Sequence, residues 1–196
     1  MNIIFRKMKK FILMLAAVFS LGLCSCNDDA WGNDNEEMAN IYYFGFQEWG
    51  YDSTKKGNNN VLSYNVTPGS TVGVPMQFWC EFVRNYDVTT YYWITVQSGD
   101  LVLGQDYQVV DANGSVLTPG ANGAYSMLWP NAKKGVQTAY IKALNGKTGK
   151  LRIQTFDPNS SVTLSNQDVA STIQSSTNDY EVRIFTQNWR ADINIK

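Results

Sequence analysis

From Thr71 to Phe82 the chain alternates without a fault. Val72, Val74, Met76, Phe78, Cys80 and Phe82 fall on one face, and Thr71, Gly73, Gln77, Trp79 and Glu81 on the other. Successive side chains of a strand point to opposite sides, so an apolar period of two specifies a β-strand with one buried face. A helix would scatter the same residues around its circumference. Cys80 shares the buried face with apolar neighbours, which makes it an inert core thiol rather than a reactive one.

Around this segment, short runs rich in Val, Ile, Thr, Tyr, Phe and Trp recur between Gly, Asn and Pro clusters. That pattern belongs to an all-β sandwich or barrel. Strands are predicted near 40–46, 61–67, 71–83, 90–98, 106–111, 124–129, 136–144, 149–156 and 180–195. Turn chemistry separates them at Pro68-Gly69, Asn113-Gly114, 119–123, Asn145-Gly146 and Asp157-Pro158-Asn159. Asn113-Gly114 and Asn145-Gly146 suit hairpins, because Asn and Gly tolerate positive φ.

Parity assigns faces in the other strands as well. Ile94 and Val96 point inward, with Tyr91, Trp93, Thr95 and Gln97 outward; Leu151 and Ile153 point inward, with Arg152 and Gln154 outward. In the last run, Val182 and Ile184 set one parity and Ala191, Ile193 and Ile195 the other, which requires a bulge or break between about 185 and 190. Residues 160–179 are polar and read as a loop with at most one short helix around 165–174. Gly50 to Asn60 reads as another long loop, and no fixed-period repeat is present.

The N-terminus carries an address. Arg6, Lys7, Lys9 and Lys10 precede a short apolar run from Phe11 to Leu23. A basic segment followed by an apolar one of this length is a secretory signal, since a span needs about 20 apolar residues. Leu23-Cys24-Ser25-Cys26 resembles the bacterial lipobox, which makes residues 1–25 a lipoprotein signal peptide and Cys26 the lipidated N-terminus. The alternative is an ordinary cleaved signal with a coincidental cysteine pair. Residues 26–39 are acidic, Asn-rich and suited to a solvated tether, leaving 40–196 as one β-sandwich domain. An acidic run behind the lipidated cysteine resembles the surface-export signal of Bacteroidetes lipoproteins. The expected location is therefore the outer membrane, lipid-anchored and facing the cell surface, with a periplasm-facing anchor as the alternative.

Several classes fall away on composition. All 17 acids lie after residue 25 while 4 of the 16 bases precede it, so the mature chain carries 12 − 17 = −5. That balance argues against nucleic acid as a partner. With Cys26 lipidated, Cys80 has no cysteine to pair with, and packing alone must hold the fold. The absence of histidine excludes His-based triads and typical zinc sites. No nucleophile motif or singular carboxylate pair is present, so the expectation is a non-enzyme without cofactor or metal.

Two short stretches carry a family resemblance. Gly104-Gln105-Asp106-Tyr107 resembles the Gly-x-Asp-Tyr turn of Calx-beta-like domains, and Trp129-Pro130-Asn131-Ala132-Lys133-Lys134-Gly135 resembles their Pro-x-x-x-x-Gly lead-in. The resemblance spans about residues 90–156 and implies an antiparallel immunoglobulin-like β-sandwich. Some members of that family bind calcium through loop acids. Asp87, Asp100, Asp106, Asp111 and Asp157 lie in suitable loops, but calcium takes six to eight oxygens, and turn-capping is the preferred reading.

Function rests on aromatics. Trp79, Tyr91 and Trp93 fall on the outward faces of two strands consecutive in sequence, with Gln77, Thr95 and Gln97 beside them. Consecutive strands tend to be neighbours. If these two pair, the rings form a flat platform flanked by amides, the arrangement that meets the apolar face and hydroxyls of a sugar. The ligand-binding candidates are therefore Trp79, Trp93, Tyr91, Gln77 and Gln97. The opposing reading is that another element covers this face and makes the tryptophans core. Trp49 and Trp189 are loop-side alternatives. The expected function is a non-catalytic, membrane-anchored binding module for glycan or another extracellular ligand. The alternative is a structural or adhesive subunit contacting an outer-membrane protein. Asp52-Ser53-Thr54 resembles the short O-glycosylation tripeptide of exported Bacteroidetes proteins.

Overall fold

The computed structural model describes residues 39–48, 61–80, 83–161 and 171–196. Cys26, Trp49, the 50–60 loop with Asp52-Ser53-Thr54, and Phe82 lie outside them. The chain divides into Met1–Ala39 and Asn40–Lys196, and the strands belong to the second unit.

Among the described residues, eleven strands form two sheets. In chain order they are β1 (Ile41–Phe46), β2 (Leu62–Val66), β3 (Thr71–Trp79), β4 (Val88–Ser98), β5 (Tyr107–Val110), β6 (Tyr125–Trp129), β7 (Gly135–Ala143), β8 (Gly149–Gln154), β9 (Ser171–Ser176), β10 (Glu181–Phe185) and β11 (Arg190–Ile195). One sheet runs β5-β7-β3-β1-β10-β9 and the other β2-β11-β8-β4-β6. The all-β two-sheet architecture expected from the sequence is present. It is not wholly antiparallel: β1 pairs parallel with β10, and β2 parallel with β11. Both parallel pairs join the start of the domain to its end, where no tight hairpin constrains direction.

Inward residues of β3 and β8 follow the predicted parity, whereas Val96 of β4, expected inward, is 39% exposed. Val74, Met76 and Phe78 of β3 are fully buried, as are Leu151 and Ile153 of β8. They meet a core rich in aromatic rings. Phe78 stacks on Trp129 with centroids 5.0 Å apart, and Tyr92 on Tyr125 at 5.3 Å. The Trp129 indole N–H donates to Thr90 Oγ1 at 2.9 Å, which satisfies its one polar group inside the core. Burial pushes the Cys80 thiol up, and its Sγ–H is directed at the Ala132 carbonyl.

The change of parity between residues 185 and 190 is a change of sheet. Val182 and Ile184 face the core from the first sheet, and Ala191, Ile193 and Ile195 face it from the second. The turn between them is pinned by Asn188, which is 3% exposed and donates from Nδ2 to the Phe46 carbonyl at 2.7 Å.

Three local expectations need correction. Residues 171–176 are not helix or loop but an edge strand, β9, whose polar sequence hides it because neither face is fully buried. Asn145-Gly146 is not a hairpin turn, because it carries the chain from β7 in one sheet to β8 in the other. The strand predicted over 71–83 ends at Trp79. By contrast, Asn113-Gly114 does turn the chain tightly: Gly114 has φ +84°, and Val110 bridges Val116.

Candidate ligand cleft

β3 and β4 do not pair, because the connection between them crosses from one sheet to the other. The predicted aromatic platform is therefore split. Trp79 and Gln77 lie on the outer face of the first sheet, where Trp79 meets Phe185 edge-on at 6.3 Å. Its ring also lies over Gly45, 3.7 Å from where a Cβ would stand. Tyr91, Trp93 and Gln97 lie on the second sheet. Gln97 is exposed and donates to Thr95 Oγ1 at 3.0 Å, four residues along the strand from Trp93.

The structure keeps Tyr91 and Trp93 together, with ring centroids 6.4 Å apart. Both side chains leave the outward face of β4, yet Trp93 is only 6% exposed. Two elements cover it. The 120–124 loop supplies Asn122, whose carbonyl accepts the Trp93 indole N–H at 3.2 Å, and β9 approaches from the first sheet. Tyr91 stays half-buried.

The approach of β9 has a specific cause. Its pairing with β10 slips between Val182 and Arg183, so that Ile173 and Ser175 have ladder partners and Gln174 does not. A bulge of this kind re-aims the unpaired side chain. Gln174 turns toward the second sheet and treats β4 as a strand partner would. Its Oε1 accepts from the Tyr91 N–H at 3.1 Å, and its Nε2 donates to the Tyr91 carbonyl at 2.7 Å and the Thr155 carbonyl at 2.5 Å. Those backbone groups need a partner because β8 ends at Gln154, opposite Trp93. Two residues back along β4, the Thr89 N–H donates to Tyr180 Oη at 3.2 Å.

Between this bridge and the end of β8 lies a cleft of about 310 Å³, at the small end of ligand sites. Tyr91, Trp93 and Phe156 give it aromatic walls, and Ile173, 47% exposed, adds an apolar lip. Asn122, Asp157, Ser160 and Gln174 supply polar groups. The Asp157 carboxylate is oriented by the Asn159 N–H, which donates to Oδ1 at 2.8 Å. Rings beside amide, hydroxyl and carboxylate can hold a small polar molecule with an apolar face.

Sequence reading thus found two of the ring residues and missed Phe156, Asn122 and Gln174. Phe156 closes the strand predicted over 149–156 and carried no signal as a site residue. Gln174 sits in a segment whose polarity read as loop.

The loop acids accept hydrogen bonds from the chain. Asp87 Oδ1 accepts from the Asn131 N–H at 2.9 Å, and Asp111 Oδ1 from the Asn113 and Ser115 N–H groups at 2.8 Å each. Asp106 accepts from the Val102 N–H at 2.8 Å, from Asn145 Nδ2 at 2.9 Å and from Lys147 Nζ at 3.1 Å. Among the described residues no group of three or more Cys, Asp or Glu side chains is placed to hold a metal ion.

No protein-family model matches the chain, and no curated protein matches it. Solved structures are similar at the level of all-β architecture only. CaCohA2 from Clostridium acetobutylicum is 12% identical over 80% of this chain and 92% of its own, with a TM-score of 0.38. The M1 domain from titin is 11% identical over 69% and 89%, with a TM-score of 0.25. The N-terminal domain of PorA is 7% identical over 69% and 87%, with a TM-score of 0.25. The chain folds as a two-sheet β-sandwich with a ring-lined cleft where the second sheet meets the bulged edge of the first.

Proposed function

We propose that this chain is a lipid-anchored, non-catalytic binding module of the cell surface, and that it takes a glycan in the cleft beside β4. The observation that carries this reading is the pairing of Tyr91 and Trp93 in one wall of a cleft whose other groups are amides, a hydroxyl and a carboxylate. Tyr91 is the stacking surface, since Trp93 is largely covered and acts by holding the wall in place. Asn122, Asp157 and Ser160 orient hydroxyls, and Gln174 fixes the floor. Trp79, Gln77 and Gln97 have no part in this cleft.

A polysaccharide panel, titrated against the whole chain in mild detergent with tryptophan emission as the readout, tests the site. One polysaccharide should change the Trp93 environment saturably. Tyr91→Ala should weaken it about tenfold, the order of one lost aromatic contact, while Trp79→Ala leaves it unchanged. Saturable binding that depends on Trp79 and not on Tyr91 would move the site to the other sheet. No saturable response at all would remove the glycan reading and favour a protein partner.

The anchor has its own test. Cells fed a radiolabelled fatty acid should label this chain, and Cys26→Ala should abolish the label. Retained label in that variant would refute lipidation at Cys26.

A further inference from the structure

The register across the second sheet sets a row of outward residues beside the cleft. Trp93 on β4 pairs with Gln154 on β8, and Gln154 pairs with Arg190 on β11. Two strand spacings, about 10 Å, separate the ends of that row. The next row holds Thr95, Arg152 and Asp192, and beyond it lie Lys150 and Asn194. On the outer faces of β8 and β11, three cations therefore surround one carboxylate in a chain that is otherwise acidic.

That carboxylate is already committed. Asp192 accepts from Arg152 Nε at 2.8 Å and Nη2 at 3.3 Å, and it lies 3.7 Å from Lys150 Nζ. Arg190 is left over. Its guanidinium lies 4.9 Å above the Trp189 ring, and its Nε is shut off from solvent with no hydrogen-bond acceptor. Burial and the neighbouring Arg152 push its pKa down against the weaker opposing pull of Asp192, to which it makes no hydrogen bond, yet a guanidinium remains a cation in proteins. A stacked arginine loses little freedom when it grips a planar or tetrahedral anion, so it is prepared for one.

We propose that the glycan of the cleft is acidic, and that Arg190 holds the carboxylate or sulfate of the sugar next to the one on Tyr91. This rests on the cleft reading above. Asp157, the carboxylate among the cleft residues, faces the neutral hydroxyls, and the anionic end runs toward β11.

Three probes separate the outcomes: polygalacturonate, a sulfated galactan and the same galactan without sulfate, each titrated against the whole chain. One of the two anionic probes should bind at least tenfold tighter than the neutral galactan, and which one identifies the anion. Arg190→Gln should erase that preference, Arg190→Lys should keep part of it, and Tyr91→Ala should weaken anionic and neutral probes alike. Should Arg190→Gln fail to fold, the wild-type chain answers through salt: raising ionic strength should cut anionic binding and spare neutral binding. Equal affinity for the neutral probe, or indifference to both Arg190→Gln and salt, would overturn the acidic ligand and leave the cleft standing. Anionic binding indifferent to Tyr91→Ala would show a charged patch unconnected with the cleft and overturn the proposal too. Binding of none of the three, nor of any polysaccharide in the wider panel, would remove the cleft reading itself and this inference with it.

Discussion

At the residue scale, Gln174 decides how the two sheets meet beside the cleft. A glutamine amide has one acceptor and two donor hydrogens, and here it spends them on Tyr91 N–H, Tyr91 C=O and Thr155 C=O. Leucine at this position would keep much of the volume and leave three backbone groups without their partner. Buried groups abandoned in this way cost about 1–3 kcal/mol each at most, and some would recover water through the cleft. Gln174→Leu should therefore destabilise the chain by about 2–3 kcal/mol, read as a lower urea midpoint. Gln97→Leu, on β4 of the second sheet and exposed, should change it by about 0.5 kcal/mol or less. Equal effects of the two substitutions would mean that the bridge contributes nothing beyond surface solvation.

At the scale of elements, the legible parts of this fold are those where burial is one-sided. β3 was readable from its alternation alone, because Val74, Met76 and Phe78 face a dry core while Gln77 and Trp79 do not. The switch of parity between Ile184 and Ala191 was readable too, but only as an interruption. A bulge and a passage between sheets shift the side-chain phase alike, and the phase does not say which has happened. Sheet membership was not legible at all. The expectation that β3 and β4 would pair rests on a tendency of consecutive strands, and in a sandwich the chain crosses between layers repeatedly, as it does between β7 and β8 and between β10 and β11. That one topological fact separates Trp79 from Trp93 and dismantles the platform. β9 escaped for the opposite reason. Ser171–Ser176 is an edge strand with half-buried faces, so its sequence shows no apolar period. The cleft wall it provides, through a bulge at Gln174, was therefore invisible, as was the cover that turns Trp93 from an outward residue into a buried one. Outward in a strand is a direction, and exposure depends on what the rest of the chain lays over it.

At the scale of the whole molecule, no described disulfide braces the sandwich, and the passages between its layers must be held by polar contacts. Asp106 ties two of them together. It belongs to the β4–β5 passage, and it accepts from the Val102 N–H of that passage and from Asn145 and Lys147 of the β7–β8 passage. The Asn145 amide also donates to the Gln105 carbonyl at 3.0 Å, and the Leu144 N–H to the Asp106 carbonyl at 2.9 Å. Close approach of the two passages also needs glycine. A Cβ on Gly99, at φ +88°, would stand 2.4 Å from the Thr148 carbonyl oxygen. Hydrogen bonds from Asn145, Val102 and Lys147 hold the Asp106 carboxyl below its ordinary range. A carboxylate lowered on folding stabilises the native state fully above its unfolded value of about 3.9. That contribution disappears as pH falls through the lower native value. Asp106→Asn keeps the shape but cannot accept from both Asn145 and Lys147 as an anion does. The variant should melt below the wild type at neutral pH, and the gap in Tm should narrow as pH falls from about 4, where the unfolded chain takes up the proton, and close below the lower value at which folded Asp106 does. Melting curves for the two chains between about pH 2 and pH 7 would show it. Curves that stay parallel across the whole range would mean that the carboxylate's charge is not what couples these passages, and the tie would then rest on the Asn145 and Leu144 hydrogen bonds to the backbone.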